Sequence, residues 1–117
     1  MDAIRIYGGN CLKGQTTIQG SKNASLPILA ATLLINGVCE IDNCPEISDV
    51  YHMLRLLTSL GCRVERKGTC VRVNTCGLSA CDMPSDSVGV MRSSIMLLGA
   101  LLARTGRVCM EYPGGCV

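Results

Sequence analysis

Hydrophobic positions divide this chain into two stretches apolar on nearly every helical face, one stretch with a single apolar stripe, and several short alternating runs. The first stretch, from Gly20 to Gly37, reads G-SKNASLPILAATLLIN-G. Leu26, Leu29, Ala30, Leu33 and Leu34 recur at the spacing of one helical face. The opposite side carries Ile28, Ala31 and Ile35 instead of charge, which predicts a helix buried on most sides. Only its front end is polar, with Ser21, Lys22, Asn23 and Ser25. A cation, a carboxamide and free backbone N–H groups at a helix entrance form a cradle for an anion. Pro27 would lose one helical hydrogen bond and press on the Asn23 carbonyl, so the regular helix is expected to start late or to bend there.

The same pattern returns further on. Sliding Ser25 onto Ser94 also aligns Ala24 with Ser93, Leu29 with Leu98, Ala31 with Ala100, Leu33 with Leu102 and Gly37 with Gly106. Asn23 then falls on Arg92, so the helix entrance is polar in both copies. A repeat of this length predicts successive βα units, none of which closes a core alone.

Around these helices the periodicity changes. Ile4, Ile6 and Thr17–Gln19 suggest two short strands flanking turns at Gly8-Gly9-Asn10 and Gly14. Val38–Asp42 alternates as a strand. Ser48 is expected to cap a helix whose single stripe is Val50, Met53, Leu54, Leu57 and Leu60, ended by Gly61. Cys62–Arg66 and Cys70–Asn74 read as a hairpin about Lys67-Gly68-Thr69. A strand near Leu78–Asp82, a helix around Val88–Arg104 and a strand at Val108–Glu111 would follow. The expected class is thus α/β (α+β), in β-α-β-α-β-β units with buried apolar helices. Residues 1–19 hold N-terminal strands, 20–76 the first unit, and 77–117 an incomplete second one.

Composition narrows the function classes. The 117 residues are 48% hydrophobic but include only three Tyr and no Phe or Trp, so the core must be aliphatic and sulfur-rich. A net charge of +2 with scattered basic residues gives no nucleic-acid stripe. No apolar run is long enough for a membrane span, and the N-terminus lacks a signal-peptide layout, so a cytoplasmic chain is expected. Nine cysteines would suggest disulfides in a small secreted domain, but the number is odd and no C-x-x-C occurs. His52 is the only histidine, which serves zinc poorly. Most cysteines are expected to be small buried hydrophobes.

Four residues could carry chemistry. Lys22 and Asn23 suit a phosphate or carboxylate, or form an ordinary polar helix entrance. Arg92, at the matching place in the second copy, is a solvated helix end or a ligand contact. Cys116 follows Pro113-Gly114-Gly115, a turn that keeps it out of strand and helix, where a thiol can give or lose a proton.

Three motifs together carry a resemblance: G-S-K-N-A-x-L-P-I-L-A-A-x-L-L, M-R-S-S-I-x-x-L-G-x-L-L-A-R-x-G and P-G-G-C. With P-E-I-S-D-V and L-G-C-R-V-E-R also in register, the chain from Ile4 onward resembles the front part of the UDP-N-acetylglucosamine 1-carboxyvinyltransferase family of enolpyruvyl transferases. The resemblance implies an inside-out α/β barrel, with two domains of three β-α-β-α-β-β units each and apolar helices at the centre. The strands of residues 1–19 would find their partners in the second domain. The implied substrates are phosphoenolpyruvate and UDP-N-acetylglucosamine, on the route to peptidoglycan, with no metal or organic cofactor. By position Lys22 and Asn23 would contact phosphoenolpyruvate, and Arg92 would lie against the UDP-sugar. Cys116 would be the catalytic thiol that protonates phosphoenolpyruvate and that fosfomycin alkylates. The family's arginine just beyond that cysteine and its second-domain base are not in this sequence, so the chain alone is expected to be inactive, and its all-round apolar helices, short of neighbours, are expected to make it self-associate.

Two other readings compete. A 5-enolpyruvylshikimate-3-phosphate synthase would share the fold and phosphoenolpyruvate, but its lysine-serine-arginine pattern is not that of Ser21–Ser25. A non-catalytic module of the same fold would bind a nucleotide sugar or serve assembly. A continuing reading frame with a third unit would separate the enzyme from that module.

Overall fold

The computed structural model describes residues 2–79 and 95–110. In chain order the elements are helix α1 (Lys22–Ala31), a 3-10 turn (Thr32–Leu34), strand β1 (Val38–Ile41), helix α2 (Ser48–Ser59), strands β2 (Arg63–Lys67) and β3 (Cys70–Asn74), and helix α3 (Met96–Thr105). The sheet order is β1-β3-β2 with both pairings antiparallel. Lys67 opposes Cys70, leaving the two-residue turn Gly68-Thr69 with Gly68 at φ +61°. A glycine supplies that angle without steric cost. The expected hairpin and β1 are therefore present, each within a residue of the predicted bounds.

Alternation along the strands gives the sheet one inner face, where Val71 and Val73 of the central β3 are fully buried. Against it pack Val50, Met53, Leu54, Leu57 and Leu60, the stripe predicted for α2, together with Leu56. Leu26, Leu29 and Leu33 from α1 and its 3-10 turn, with Leu97 and Leu101 from α3, complete one core. The two repeat-related helices thus lie against each other, with α2 on the far side of α1.

Three expectations need correction. Helix α1 starts at Lys22 despite Pro27, because Ser21 supplies an N-cap: its hydroxyl accepts from Ala24 N at 3.4 Å and its carbonyl from Ser25 N at 2.9 Å. Proline removes only its own bond, and burial of Leu26 and Leu29 holds the following turn in helix. Ser48 is the first helical residue of α2, not its cap; Ile47 occupies the cap position without a side-chain bond. Among the described residues nothing pairs with Ile4–Ile6 or Thr17–Gln19, whose partners are expected in a second domain, and Ile4, Ile6, Leu12 and Ile18 stand in solvent. Past Gly106, which ends α3 at φ +75° as expected, residues 107–110 make an isolated bridge at Cys109 and no strand. The predicted strand at Leu78–Asp82 is irregular at Leu78 and Ser79, and its remainder lies outside the described residues.

Nor are the apolar helices buried on most sides. Ile28, Leu34 and Ile35 are 50–57% exposed, as is Leu102 at 51%; the separate helices packed most closely on α1 among the described residues are α2 and α3. Between α1 and α3 runs an open cleft of about 350 Å³ whose floor is small: Ala30, Ala31, Gly99, Ala100 and Ala103.

Two close joints hold the frame. A Cβ on Gly20 would stand 1.9 Å from the Asn43 carbonyl oxygen, so the approach to α1 is pressed onto the β1–α2 loop and only glycine fits. At the other end Arg104 of α3 donates to the carbonyls of Leu33, Ile35 and Thr75 at 3.0, 2.9 and 3.2 Å and to Asn36 Oδ1 at 3.1 Å. Fully buried Thr75 meets the same loop: its hydroxyl donates to the Ile35 carbonyl, and its N–H reaches Gly37 O at 2.9 Å.

Candidate functional site

The capped start of α1 sets Lys22 and Asn23 in the first turn, both exposed and adjacent. Their N–H groups precede the first intrahelical bond, and the positive end of the helix faces the same side. Behind them Ser25 is buried and its hydroxyl donates to Ser21 O at 2.7 Å, which fixes the turn. The site is thus a capped polar entrance on an apolar helix, and the helix end favours an anion.

Lys22 does not stand free. Its ammonium pairs with Asp49 Oδ2 at 3.1 Å, and Asp49 lies in the first turn of α2. The sequence pattern gave no sign of this contact, because the two residues belong to different elements brought together by α1–α2 packing. Arg92 and Cys116 lie outside the described residues, so of the four site residues read from sequence the structure brings together Lys22 and Asn23.

The described cysteines are all free thiols, and fewer are buried than expected. Cys44 and Cys62 are core residues, and burial pushes both thiols up from the ordinary value. Cys11, Cys76 and Cys109 are exposed. They fall in segments where no helix or sheet face covers them, which alternation alone cannot show. On the sheet's outer face the ligand atoms of Glu40, Asp42 and Cys70 lie within 4.8 Å of one another. That cluster is already engaged: Arg72 Nη2 bonds Glu40 Oε2 at 3.0 Å and holds the Glu40 carboxyl below its usual range. Burial and then the neighbouring carboxylates push the Cys70 thiol up, which makes it a poorer ligand.

An anion-favouring helix entrance on an apolar repeat helix, packed with an antiparallel sheet in an α/β frame, defines a class that comparison with known proteins identifies. The family model described as EPSP synthase (3-phosphoshikimate 1-carboxyvinyltransferase) matches residues 6–117, and the chain belongs to that family. Its structure superposes on the enolpyruvyl transferase NikO from Streptomyces tendae with a TM-score of 0.76 and 28% identity, over 85% of this chain and 23% of that one. The α/β class read from the sequence, part of the enolpyruvyl transferases' inside-out barrel, therefore stands.

Within the family, the chain is 45% identical over 116 residues to UDP-N-acetylglucosamine 1-carboxyvinyltransferase of Desulfosudis oleivorans, covering 99% of this chain and 28% of that protein. It is likewise 45% identical to UDP-N-acetylglucosamine 1-carboxyvinyltransferase 1 of Symbiobacterium thermophilum, covering 95% of this chain and 26% of that protein. The chain thus spans little more than a quarter of the length of these relatives. Among the described residues no helix is long and apolar enough to cross a membrane.

Proposed function

We propose that this chain forms part of a cytoplasmic enzyme that transfers the enolpyruvyl group of phosphoenolpyruvate to the 3′-hydroxyl of UDP-N-acetylglucosamine, in the supply of peptidoglycan precursors. The observation that carries this reading is the match of nearly the whole chain, at 45% identity, to a protein named for that transfer. The anion-favouring entrance of α1 supports it, since phosphoenolpyruvate presents a phosphate and a carboxylate.

In this reading Lys22 and Asn23 hold phosphoenolpyruvate, Lys22 neutralising its charge, and Arg92 lies against the UDP-sugar. The sugar 3′-oxygen adds to C2 of phosphoenolpyruvate and gives up its proton to a base, while the Cys116 thiol delivers a proton to C3. The C2–O bond to phosphate then breaks, a proton leaves C3, and the double bond reforms with release of inorganic phosphate. None of these steps calls on a metal or organic cofactor.

The test is phosphate release by the full-length polypeptide that carries these residues. With phosphoenolpyruvate and UDP-N-acetylglucosamine it should turn over, and Lys22→Ala should abolish turnover while leaving the thermal transition in place. The 117-residue chain alone should release no phosphate. Turnover with shikimate 3-phosphate instead of the UDP-sugar would overturn the substrate assignment.

A further inference from the structure

The three ion pairs among the described residues differ in what they join. Arg63–Glu65 and Arg72–Glu40 lie within the sheet, whereas Lys22–Asp49 bridges the first turns of two separate helices. From this geometry we propose that Asp49 is a positioning residue: it seats the Lys22 ammonium at the mouth of α1 so that it meets the anionic substrate already in place. This rests on the reading above that Lys22 contacts phosphoenolpyruvate.

Both members of the pair are anchored from behind. On the Lys22 side, the Ser21 cap and the buried Ser25 fix the helix start, and Gly20 is wedged on the Asn43 carbonyl. On the Asp49 side, the same loop passes through Asn43 in the left-handed region at φ +54° and through buried Cys44 before α2 begins. Gly20 and Asn43 therefore set the spacing of the two backbones, and the 3.1 Å contact between Lys22 and Asp49 follows from it.

Lysine is a flexible four-carbon stem ending in a point charge, so unaided it samples many positions. One carboxylate bond uses part of the ammonium's donor capacity and leaves the rest directed away from Asp49, open to a phosphate or carboxylate. The same carboxylate also repels an incoming anion weakly, because the pair is half exposed to water. Orientation and repulsion thus act in opposite senses on binding, whereas only orientation acts on the reacting geometry.

A competing role for Asp49 is local. A carboxylate in the first turn of α2 complements that helix's positive end with or without Lys22. The two roles differ in what they move. A helix-end role changes the thermal transition and leaves kcat alone, whereas a positioning role changes kcat at an unchanged transition.

The experiment has two arms. In the 117-residue chain, a zero-length carbodiimide cross-link should join Lys22 to Asp49 and be recovered by peptide mapping. Its absence while other carboxylate–amine links form would overturn the pairing. In the full-length polypeptide, Asp49→Asn should lower kcat about 10- to 100-fold, the range expected for misplacement on the order of 1 Å. Its KM for phosphoenolpyruvate should stay within about threefold, because lost repulsion offsets lost orientation. Asp49→Glu should recover most of the rate, and both variants should melt with the parent. If Lys22→Ala abolishes turnover while Asp49→Asn keeps the parental kcat, the positioning role is wrong and the Lys22 assignment survives. Should Lys22→Ala itself leave turnover unchanged, the reading beneath this inference fails. A lowered transition in Asp49→Asn at parental kcat would assign Asp49 to the α2 end alone.

Discussion

Replacing Arg104 by Met should destabilise the chain more than any single exposed substitution. The guanidinium donates to three backbone carbonyls, those of Leu33, Ile35 and Thr75, and to Asn36 Oδ1, all between 2.9 and 3.2 Å. A hydrogen bond involving a charged group contributes about 1.5–3 kcal/mol, but the bonds to Leu33 and Thr75 are part-buried and those to Ile35 and Asn36 exposed, so about 1 kcal/mol for each carbonyl is a fair discount. Methionine keeps much of the apolar stem, so the net loss should be about 3 kcal/mol. Against a total stability of about 5–15 kcal/mol that loss is large. Urea unfolding followed by circular dichroism measures it: with a slope of about 1–3 kcal/mol/M, the midpoint should fall by roughly 1–3 M. Arg104→Lys should recover less than half, because an ammonium cannot reach acceptors on Leu33, Ile35, Asn36 and Thr75 together. A midpoint for Arg104→Met within about 0.3 M of the parent would show that water replaces the guanidinium at those carbonyls and that the lock contributes nothing.

Gly61→Ala should cost about 2–4 kcal/mol, since Gly61 sits at φ +102° and an added Cβ would meet Gly77 O at 2.5 Å; Gly68→Ala, at φ +61° in open space, should cost only about 1 kcal/mol, and equal losses in denaturation would refute the steric argument. Glu40, its carboxyl held low by Arg72, should stabilise the sheet at neutral pH and cease to do so as pH falls through its lowered value, because a depressed folded pKa favours the fold only while the group is ionised. Glu40→Gln should therefore show a flatter acid limb in a stability–pH profile, and a superimposable limb would exclude the pair. The chain expressed alone should self-associate through the exposed Ile28, Leu34, Ile35 and Leu102, so light scattering should report a mass that rises with concentration and drops in Leu102→Lys; a monodisperse monomer at all dilutions would defeat the expectation.

The sequence disclosed what depends on neighbours a few residues away. The α2 stripe from Val50 to Leu60, the Gly68 turn and the Gly106 stop are local patterns, and each is found where expected. Long-range pairing is not written in local patterns. Ile4, Ile6 and Ile18 have the composition of strands, but a strand exists only beside another edge, and none lies beside them among the described residues. The late helix start expected from Pro27 does not occur, because tertiary burial of Leu26 and Leu29 outweighs one missing bond. For the candidate site, Lys22 and Asn23 were readable from their helix entrance, whereas Asp49 became visible only when α2 was seen to lie against α1. Arg104 looked like one more member of a motif, and its clamp on the loop after α1 depends on three segments meeting.

The strand order has a consequence in time. β3 is the last strand of the sheet to be synthesised, yet it lies in the middle, with β1 paired to it on one side and β2 on the other. β1 has no partner until the chain has been made as far as Asn74, and a ribosome needs on the order of 2–7 s to lay down the residues between. The β2–β3 hairpin, closed by two residues, can form within about 1–10 μs of its completion. The sheet therefore grows backward along the chain, with the hairpin acting as a template onto which the older strand docks. Until then β1 waits as an open edge, and α2, complete before the hairpin, is the element available to shield it from other nascent chains.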